Sequence, residues 1–299
     1  LGTALMKNMV AIGATSALMH LDTSTFEDLI TNMFTKKGDK VVEMNIQALN
    51  QGYQLMKEQL ADINGDFELQ ESNEAPHLYM IGNDAIGLGA ISAGSRFMAA
   101  YPITPASEIM EYMIANLPKV GGTVVQTEDE IAAATMSIGA NYAGVRGFTA
   151  SAGPGLSLMM ESIGLSGMTE TPFVVINTQR GGPSTGLPTK QEQADLMQMI
   201  YGTHGDIPKI VVAPTDAEDA FYLTMEAFNL AEEYQCPVII LSDLQLSLGK
   251  QTVKNLDYNK IQIKRGELIQ SDIEREEDDK SYFRRYALTG SGTVSYTHL

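Results

Sequence analysis

The chain has 299 residues, 44% of them apolar, and a net charge of −17. That length and apolar content allow one large or two medium domains with a substantial core. The negative charge argues against nucleic acid and anionic membrane surfaces as partners, because both would repel it.

No apolar run reaches the roughly 18 residues needed to span a bilayer, and no signal peptide is visible, so the cytoplasm is the expected location. Cys236 is the only cysteine. It excludes a disulfide framework and any four-thiolate iron–sulfur cluster held by these residues alone; next to Pro237 it reads as a buried structural thiol. His20, His77, His204 and His298 lack ligand spacing, so no metal site is expected on them. From Gln251 onward basic and acidic residues balance, which confines the excess negative charge to residues 1–250. Acidic electron carriers should therefore dock elsewhere.

Residues 5–20, rich in Ala and Met, predict a buried helix. A second helix is expected from Thr23 to Phe34, capped by Thr23 or Ser24 ahead of Glu27 and stopped at Lys36-Lys37-Gly38, and a third from Val41 to Glu58. This segment is too short to own a core and reads as the end of a larger domain. Asp62–Pro76, with its Asn-Gly turn, reads as a linker; the domain boundaries are set at 1–57, 58–76, 77–250 and 251–288. Residues 289–299 have no visible fold role and are treated as a non-native tail.

Beyond the linker, β-like and helical runs alternate. Helices are predicted at Ala85–Phe97, from Pro105 with Thr104 as N-cap, at Glu130–Tyr142, and from Gly153 to about Gly164. A capping box, Thr215-Asp216-Ala217-Glu218, opens another. Strands are predicted running into Tyr101 and at Thr123–Gln126, Gly147–Ser151, Phe173–Asn177, Lys209–Ala213 and Val238–Leu241. This alternation gives an α/β class, a parallel sheet with helices on both faces. Residues 251–288 are charged and read as a surface extension.

Three loops combine turn-forming residues with polar groups a ligand could use, and ligands of such sheets bind at strand ends. In Tyr101-Pro102-Ile103-Thr104-Pro105 the prolines restrain the backbone and hold the Thr104 hydroxyl at a helix start, which suits an anion or carbonyl; a well-capped turn is the plainer account. In Gln126-Thr127-Glu128-Asp129-Glu130-Ile131-Ala132-Ala133, Glu128 and Asp129 read as helix-dipole compensation. Glu130, beside an apolar helix, would be partly withdrawn from water and able to share a proton. In Arg180-Gly181-Gly182-Pro183-Ser184-Thr185-Gly186-Leu187-Pro188-Thr189, glycines leave the guanidinium open to a two-pronged carboxylate, and Thr185 and Thr189 add hydroxyls. Gly87-Leu88-Gly89 invites a dinucleotide reading, but the third glycine is missing at Ser92 and no strand clearly precedes it. Glycines easing helix packing are the better account.

With Ala-Ser-Ala-Gly-Pro-Gly (150–155), these loops make the chain resemble the α subunit of 2-oxoacid:ferredoxin oxidoreductases over residues 77–288. Residues 1–57 resemble the end of that family's γ domain, which in some members is fused ahead of α. The resemblance implies a pyrimidine-binding domain for thiamine diphosphate in residues 77–250. Glu130 would match the glutamate that hydrogen-bonds the aminopyrimidine and drives its imino tautomer, with Glu128 as fallback; Tyr101 and Pro102 would lie beside the cofactor. Arg180 and Thr189 would match residues holding the 2-oxoacid carboxylate, and Thr104 the threonine near its carbonyl.

A Gly-Asp-Gly motif for diphosphate and Mg²⁺ does not occur. The resemblance therefore implies a β subunit that completes the cofactor site and carries Mg²⁺ and the iron–sulfur cluster serving ferredoxin. The expected reaction makes acyl-CoA, CO₂ and reduced ferredoxin from a 2-oxoacid and coenzyme A. The Ser-Thr-Gly-Leu-Pro-Thr form of the third loop points to 2-oxoglutarate. The alternatives are a non-catalytic scaffold subunit of the same fold and a ferredoxin-independent thiamine enzyme. Common to the catalytic readings is that Glu130 and Arg180 face one cavity, closed by a second polypeptide.

Overall fold

Helix-forming residues at apolar spacing build α1 (Lys7–Leu18), α2 (Ser24–Phe34) and α3 (Asp39–Gln59). They form the first of two compact units, which divide between Ala75 and Pro76 in the computed structural model. The structure describes residues 6–59, 67, 69, 75–268, 286, 290 and 295–296, so most of the predicted linker and of the extension and tail lies outside the described residues. In this unit α1 and α3 touch through paired glycines: a Cβ on Gly13 would stand 1.9 Å from the Leu49 carbonyl oxygen, and one on Gly52 2.1 Å from that of Val10. α1 ends before residue 20 because His20 turns left-handed and Leu21 N–H closes back on the Ser16 carbonyl, a Schellman stop. The predicted cap of α2 differs: the Thr23 hydroxyl donates to the Glu27 carboxylate rather than accepting from a backbone N–H.

In the second unit the elements are β1 (Leu78–Ile81), α4 (Gly82–Ser92), β2 (Phe97–Ala100), α5 (Ser107–Asn116), β3 (Thr123–Gln126), α6 (Glu130–Tyr142), β4 (Gly147–Ser151) and α7 (Gly153–Met168). There follow β5 (Phe173–Gln179), α8 (Leu196–Tyr201), β6 (Ile210–Val212), α9 (Ala217–Tyr234), β7 (Pro237–Asp243), α10 (Leu244–Leu248) and β8 (Lys250–Val253). Six strands form one parallel sheet in the order β3-β2-β4-β5-β7-β6. Side chains alternate across it. Val174, Ile176, Val238 and Ile240 meet α4, α5 and α9, while Phe173, Val175, Ile239 and Leu241 meet α6, α7 and α8. The α/β architecture with helices on both faces is therefore the observed one.

The helices leading into β2, β4, β5 and β7 share one ending. Gly94, Gly144, Glu170 and Gln235 take positive φ, and the next residue's N–H reaches back five positions to Ala90, Ala140, Ser166 and Ala231. This explains why α7 runs past Gly164: the stop is at Glu170.

Other boundaries moved for physical reasons. α4 starts at Gly82, earlier than predicted, and β1 does precede the Gly87-Leu88-Gly89 run. Both glycines nevertheless sit inside the helix, where a Cβ would come within 2.5 Å of Tyr112 and of the Phe221 carbonyl oxygen, so they serve packing. α9 is capped by Asp216, with Asp219 accepting from Thr215 N–H, one position later than the predicted box. β8 pairs antiparallel with β1, and Val253 at its end and Leu256 just after it enter the core, so the first residues of the expected extension belong to this unit. Ser295–Tyr296 of the tail pair in parallel with Glu267–Leu268.

At the edge where the strands begin, Arg146 is 2% exposed and donates to Glu232 (2.7 and 3.1 Å), Asn229, and the Ala93 and Lys264 carbonyls. Arg265 pairs with the same glutamate at 2.8 Å. This cluster clasps residues 262–265 at the opposite end of the sheet from the loops that follow β2, β3 and β5.

Candidate active site

The chain passes from β2 to β3 on one side and returns to β4 on the other, so a crevice opens beyond the ends of β2 and β4. The loop after β2 closes a turn, with Ala106 N–H donating to the Ile103 carbonyl around a cis Thr104–Pro105 bond. Asn83, fully buried, donates to the Pro105 carbonyl at 2.7 Å and pins that turn. Because the turn uses residues 103–106, α5 starts at Ser107 with Ala106 at its cap; Thr104 is not the N-cap.

After β3, the Asp129 side chain caps α6 by accepting from Ala132 N–H at 2.7 Å, and Glu130 becomes the first helical residue. Glu130 is 6% exposed. Its carboxylate makes no hydrogen bond or ion pair among the described residues. It lies against Gly155 in the first turn of α7, where a Cβ would stand 2.7 Å from Oε1 and 2.0 Å from Ser151 Oγ. That Ser151 hydroxyl is buried and unpartnered. A buried hydroxyl left without a partner is costly unless a ligand or water supplies one, and the Glu130 carboxylate beside it is free of partners among the described residues and available to a ligand.

After β5, Arg180 is 7% exposed. Its Nη1 donates to the Thr104 carbonyl at 2.6 Å and its Nη2 to the Thr185 carbonyl at 2.8 Å, while Nε is buried without a partner. Burial lowers the pKa of Arg180, as withdrawing a cation from water must. The loop it opens folds on itself: Leu187 N–H donates to the Gly181 carbonyl, Gly181 N–H to that of Lys190, and Gly182 N–H to Glu192 Oε2 at 2.8 Å. Gly186 has positive φ, and a Cβ there would stand 1.9 Å from the Gly181 oxygen, so glycine is required.

Arg180, Gly181–Thr185, Glu192, Ala194, Asp195 and Gln198 line a cavity of about 680 Å³ together with Gly153, Pro154, Ser157 and Leu158 at the start of α7. The structure thus joins Arg180 to the Thr104 loop, 76 positions away in sequence. Three expectations are corrected. The guanidinium is not open, since two backbone carbonyls already hold it. Thr104 contributes its carbonyl to that contact. Glu130 is not among the residues lining this cavity; it packs against Gly155 in the first turn of α7, whose Gly153 and Pro154 do line it. Tyr101 is 38% exposed, Pro102 is half-buried, and Thr189 is exposed beyond the cavity.

Gly155 stood in the 150–155 motif without a role of its own, and Asp195 and Glu192 were not singled out from the sequence. Asp195 accepts from Asn177 Nδ2 and donates its N–H to Gln179 Oε1, both at 3.0 Å. The polar run Asn177-Thr178-Gln179, fully paired in the ladder at the end of an apolar strand, was the available signal. Among the described residues no group of three or more His, Cys, Asp or Glu is placed to hold a metal, and no helix is long and apolar enough to cross a membrane.

A doubly covered parallel sheet with an unpartnered glutamate at one strand end and a buried arginine at another defines a cofactor-binding α/β domain. The chain belongs to the pyruvate flavodoxin/ferredoxin oxidoreductase family: residues 88–295 match its thiamine-diphosphate-binding domain, and residues 1–55 match a second pyruvate ferredoxin/flavodoxin oxidoreductase model. The KorA subunit of 2-oxoglutarate synthase from Methanothermobacter thermautotrophicus is 50% identical over 63% of this chain and 50% of its own length. The α subunit of 2-oxoacid:ferredoxin oxidoreductase 1 from Sulfurisphaera tokodaii is 38% identical over 97% of this chain and 46% of its own. A solved 2-oxoglutarate:ferredoxin oxidoreductase from Magnetococcus marinus, with 2-oxoglutarate, coenzyme A and succinyl-CoA bound, superposes with a TM-score of 0.86 at 41% identity, covering 98% of this chain and 50% of that one. The chain spans about half the length of the relatives it matches.

Proposed function

We propose that this chain is part of the α, or fused γ/α, subunit of a 2-oxoacid:ferredoxin oxidoreductase acting on 2-oxoglutarate. In this reading residues 1–57 end a γ domain and residues 77–250 bind the cofactor's pyrimidine. A β subunit closes the site and holds Mg²⁺ and the iron–sulfur cluster that serves ferredoxin; a four-thiolate cluster needs four cysteines, and these residues contain one.

The observation that carries the reading is the partnerless Glu130 carboxylate, nine-tenths buried at a strand end. It fits thiamine diphosphate, whose aminopyrimidine ring nitrogen can share a proton with it. When bound, that cofactor supplies the electron sink needed for loss of CO₂ from a 2-oxoacid. Glu130 would hold the ring and the shared proton, with Tyr101 and Pro102 beside it. Arg180 orients the substrate carboxylate. Each of its terminal nitrogens has two N–H groups and has given one to a carbonyl, so bonds remain for a ligand. Thr104, on the turn that Arg180 grips, would add a substrate contact; Thr189, exposed and outside the cavity lining, would contact the substrate only where the partner subunit closes the site.

The test is Glu130→Gln in the full-length chain assembled with its β subunit, assayed for 2-oxoglutarate turnover with a viologen acceptor. Loss of the charge-assisted hydrogen bond costs about 2–3 kcal/mol, roughly two orders of magnitude in rate. Unchanged turnover would favour a scaffold subunit. Turnover by a complex lacking a cluster spectrum would favour a ferredoxin-independent enzyme.

A further inference from the structure

The ionisable side chains lining the Arg180 cavity are the guanidinium and two carboxylates, Glu192 and Asp195. Neither acid is spent on the arginine, whose terminal nitrogens bond backbone carbonyls. Both are held in place by the scaffold. Asp195 is gripped by Asn177 and Gln179, 0% and 3% exposed at the end of β5, and its Oδ2 lies 2.9 Å from where a Cβ on Gly153 would stand, at the positive end of α7. Glu192 is tied to Gly182 N–H at 2.8 Å, two residues from Arg180. The wall therefore offers one cation, nine-tenths buried with an unpartnered Nε, and two anchored anions. A carboxylate that reaches the guanidinium finds the only cation of this lining; a second carboxylate on the same ligand finds only like charge.

We propose that Glu192 and Asp195 are specificity-determining residues that make this wall refuse a second carboxylate. A dicarboxylic 2-oxoacid then lies with its C1 carboxylate at Arg180 and its distal carboxylate directed away from residues 192–195. The inference rests on the 2-oxoacid reading above and concerns which part of the substrate this chain meets.

The test compares kcat/KM for 2-oxoglutarate with that for 2-oxopentanoate, which has the same chain length and a methyl group in place of the distal carboxylate. Full-length chain assembled with its partner subunits is used, as wild type, Glu192→Gln and Asp195→Asn. Each substitution keeps an oxygen for Gly182 N–H or for Asn177 Nδ2 and removes only charge. The ratio of 2-oxoglutarate to 2-oxopentanoate should rise about tenfold in either variant, the size expected for lifting like-charge repulsion across a partly wet cavity. Glu192→Asp, which keeps the charge, should leave the ratio near wild type. A ratio that stays within twofold of wild type in both neutral variants, or both substrates falling together, overturns the inference. If the wild-type complex turns over neither acid, the 2-oxoacid reading itself is what fails.

Discussion

Replacing Gly155 with alanine probes the link between fold and site. The added methyl would stand 2.0 Å from Ser151 Oγ and 2.7 Å from both Cγ and Oε1 of Glu130. Ordinary contact needs at least about 3.4 Å, so the glutamate must retreat by roughly 0.7 Å and Ser151 must rotate. The helix gains about 1 kcal/mol from alanine over glycine, set against about 1–3 kcal/mol for overpacking. Net stability should therefore fall by no more than about 2 kcal/mol. Catalysis should suffer more, since a misplacement approaching 1 Å costs up to about a hundredfold in rate. The assay pairs thermal denaturation of the assembled enzyme with kcat for 2-oxoglutarate. Retained folding with kcat within threefold of wild type would refute the claim that Gly155 exists to seat the Glu130 carboxylate.

Arg180→Lys keeps the charge but replaces the two-nitrogen fork with one nitrogen, for whose three N–H groups the Thr104 carbonyl, the Thr185 carbonyl and a substrate carboxylate must compete. It should lower kcat/KM for the 2-oxoacid by about a hundredfold and speed amide exchange in residues 181–190, with thiamine diphosphate affinity preserved; parallel loss of cofactor affinity would mark the arginine as structural. Glu232→Gln removes the anion that pairs with both Arg146 and Arg265; the Arg146 and Glu232 side chains are 1% and 5% exposed. The expected cost is about 3 kcal/mol, seen as a fall in thermal midpoint of about 5–10 °C, and an unchanged midpoint would show that carbonyl acceptors suffice. Cys236 is buried and its thiol pKa is pushed up to about 11 by desolvation. Because the folded value is raised, the folded state holds its proton longer than the unfolded state. Stability is fully present below the unfolded pKa and declines as pH rises through about 11. The native thiol should resist alkylation near pH 8 and react once the chain is unfolded; rapid native labelling would contradict the burial.

Most strands and helices of the second unit were legible because their signals are local. Thr123–Gln126, Glu130–Tyr142 and Gly147–Ser151 fall where predicted. A β-branched run declares a buried strand, and an aspartate ahead of an apolar helix declares a cap. Helix ends were harder to place. α7 passes through Gly164 because nothing crowds that position, and it stops at Glu170, a residue with no stop-like character in sequence. The Thr104 helix start misled for a related reason: Thr-Pro reads as cap and first turn, but the chain used those residues for a separate turn pinned by Asn83.

The order of residues along the chain, with its alternating period and its turn-forming motifs, was enough to establish the α/β class, the strand-end loops and the family they resemble. Periodicity and φ restriction act over a few residues and need no fold to be read. Which groups meet was decided only in three dimensions. The grip of Arg180 on Thr104, the seat of Glu130 against Gly155, the two acids beside the arginine and the Arg146–Glu232 clasp all join distant positions. Those meetings follow from the order β3-β2-β4-β5-β7-β6, which no local signal encodes.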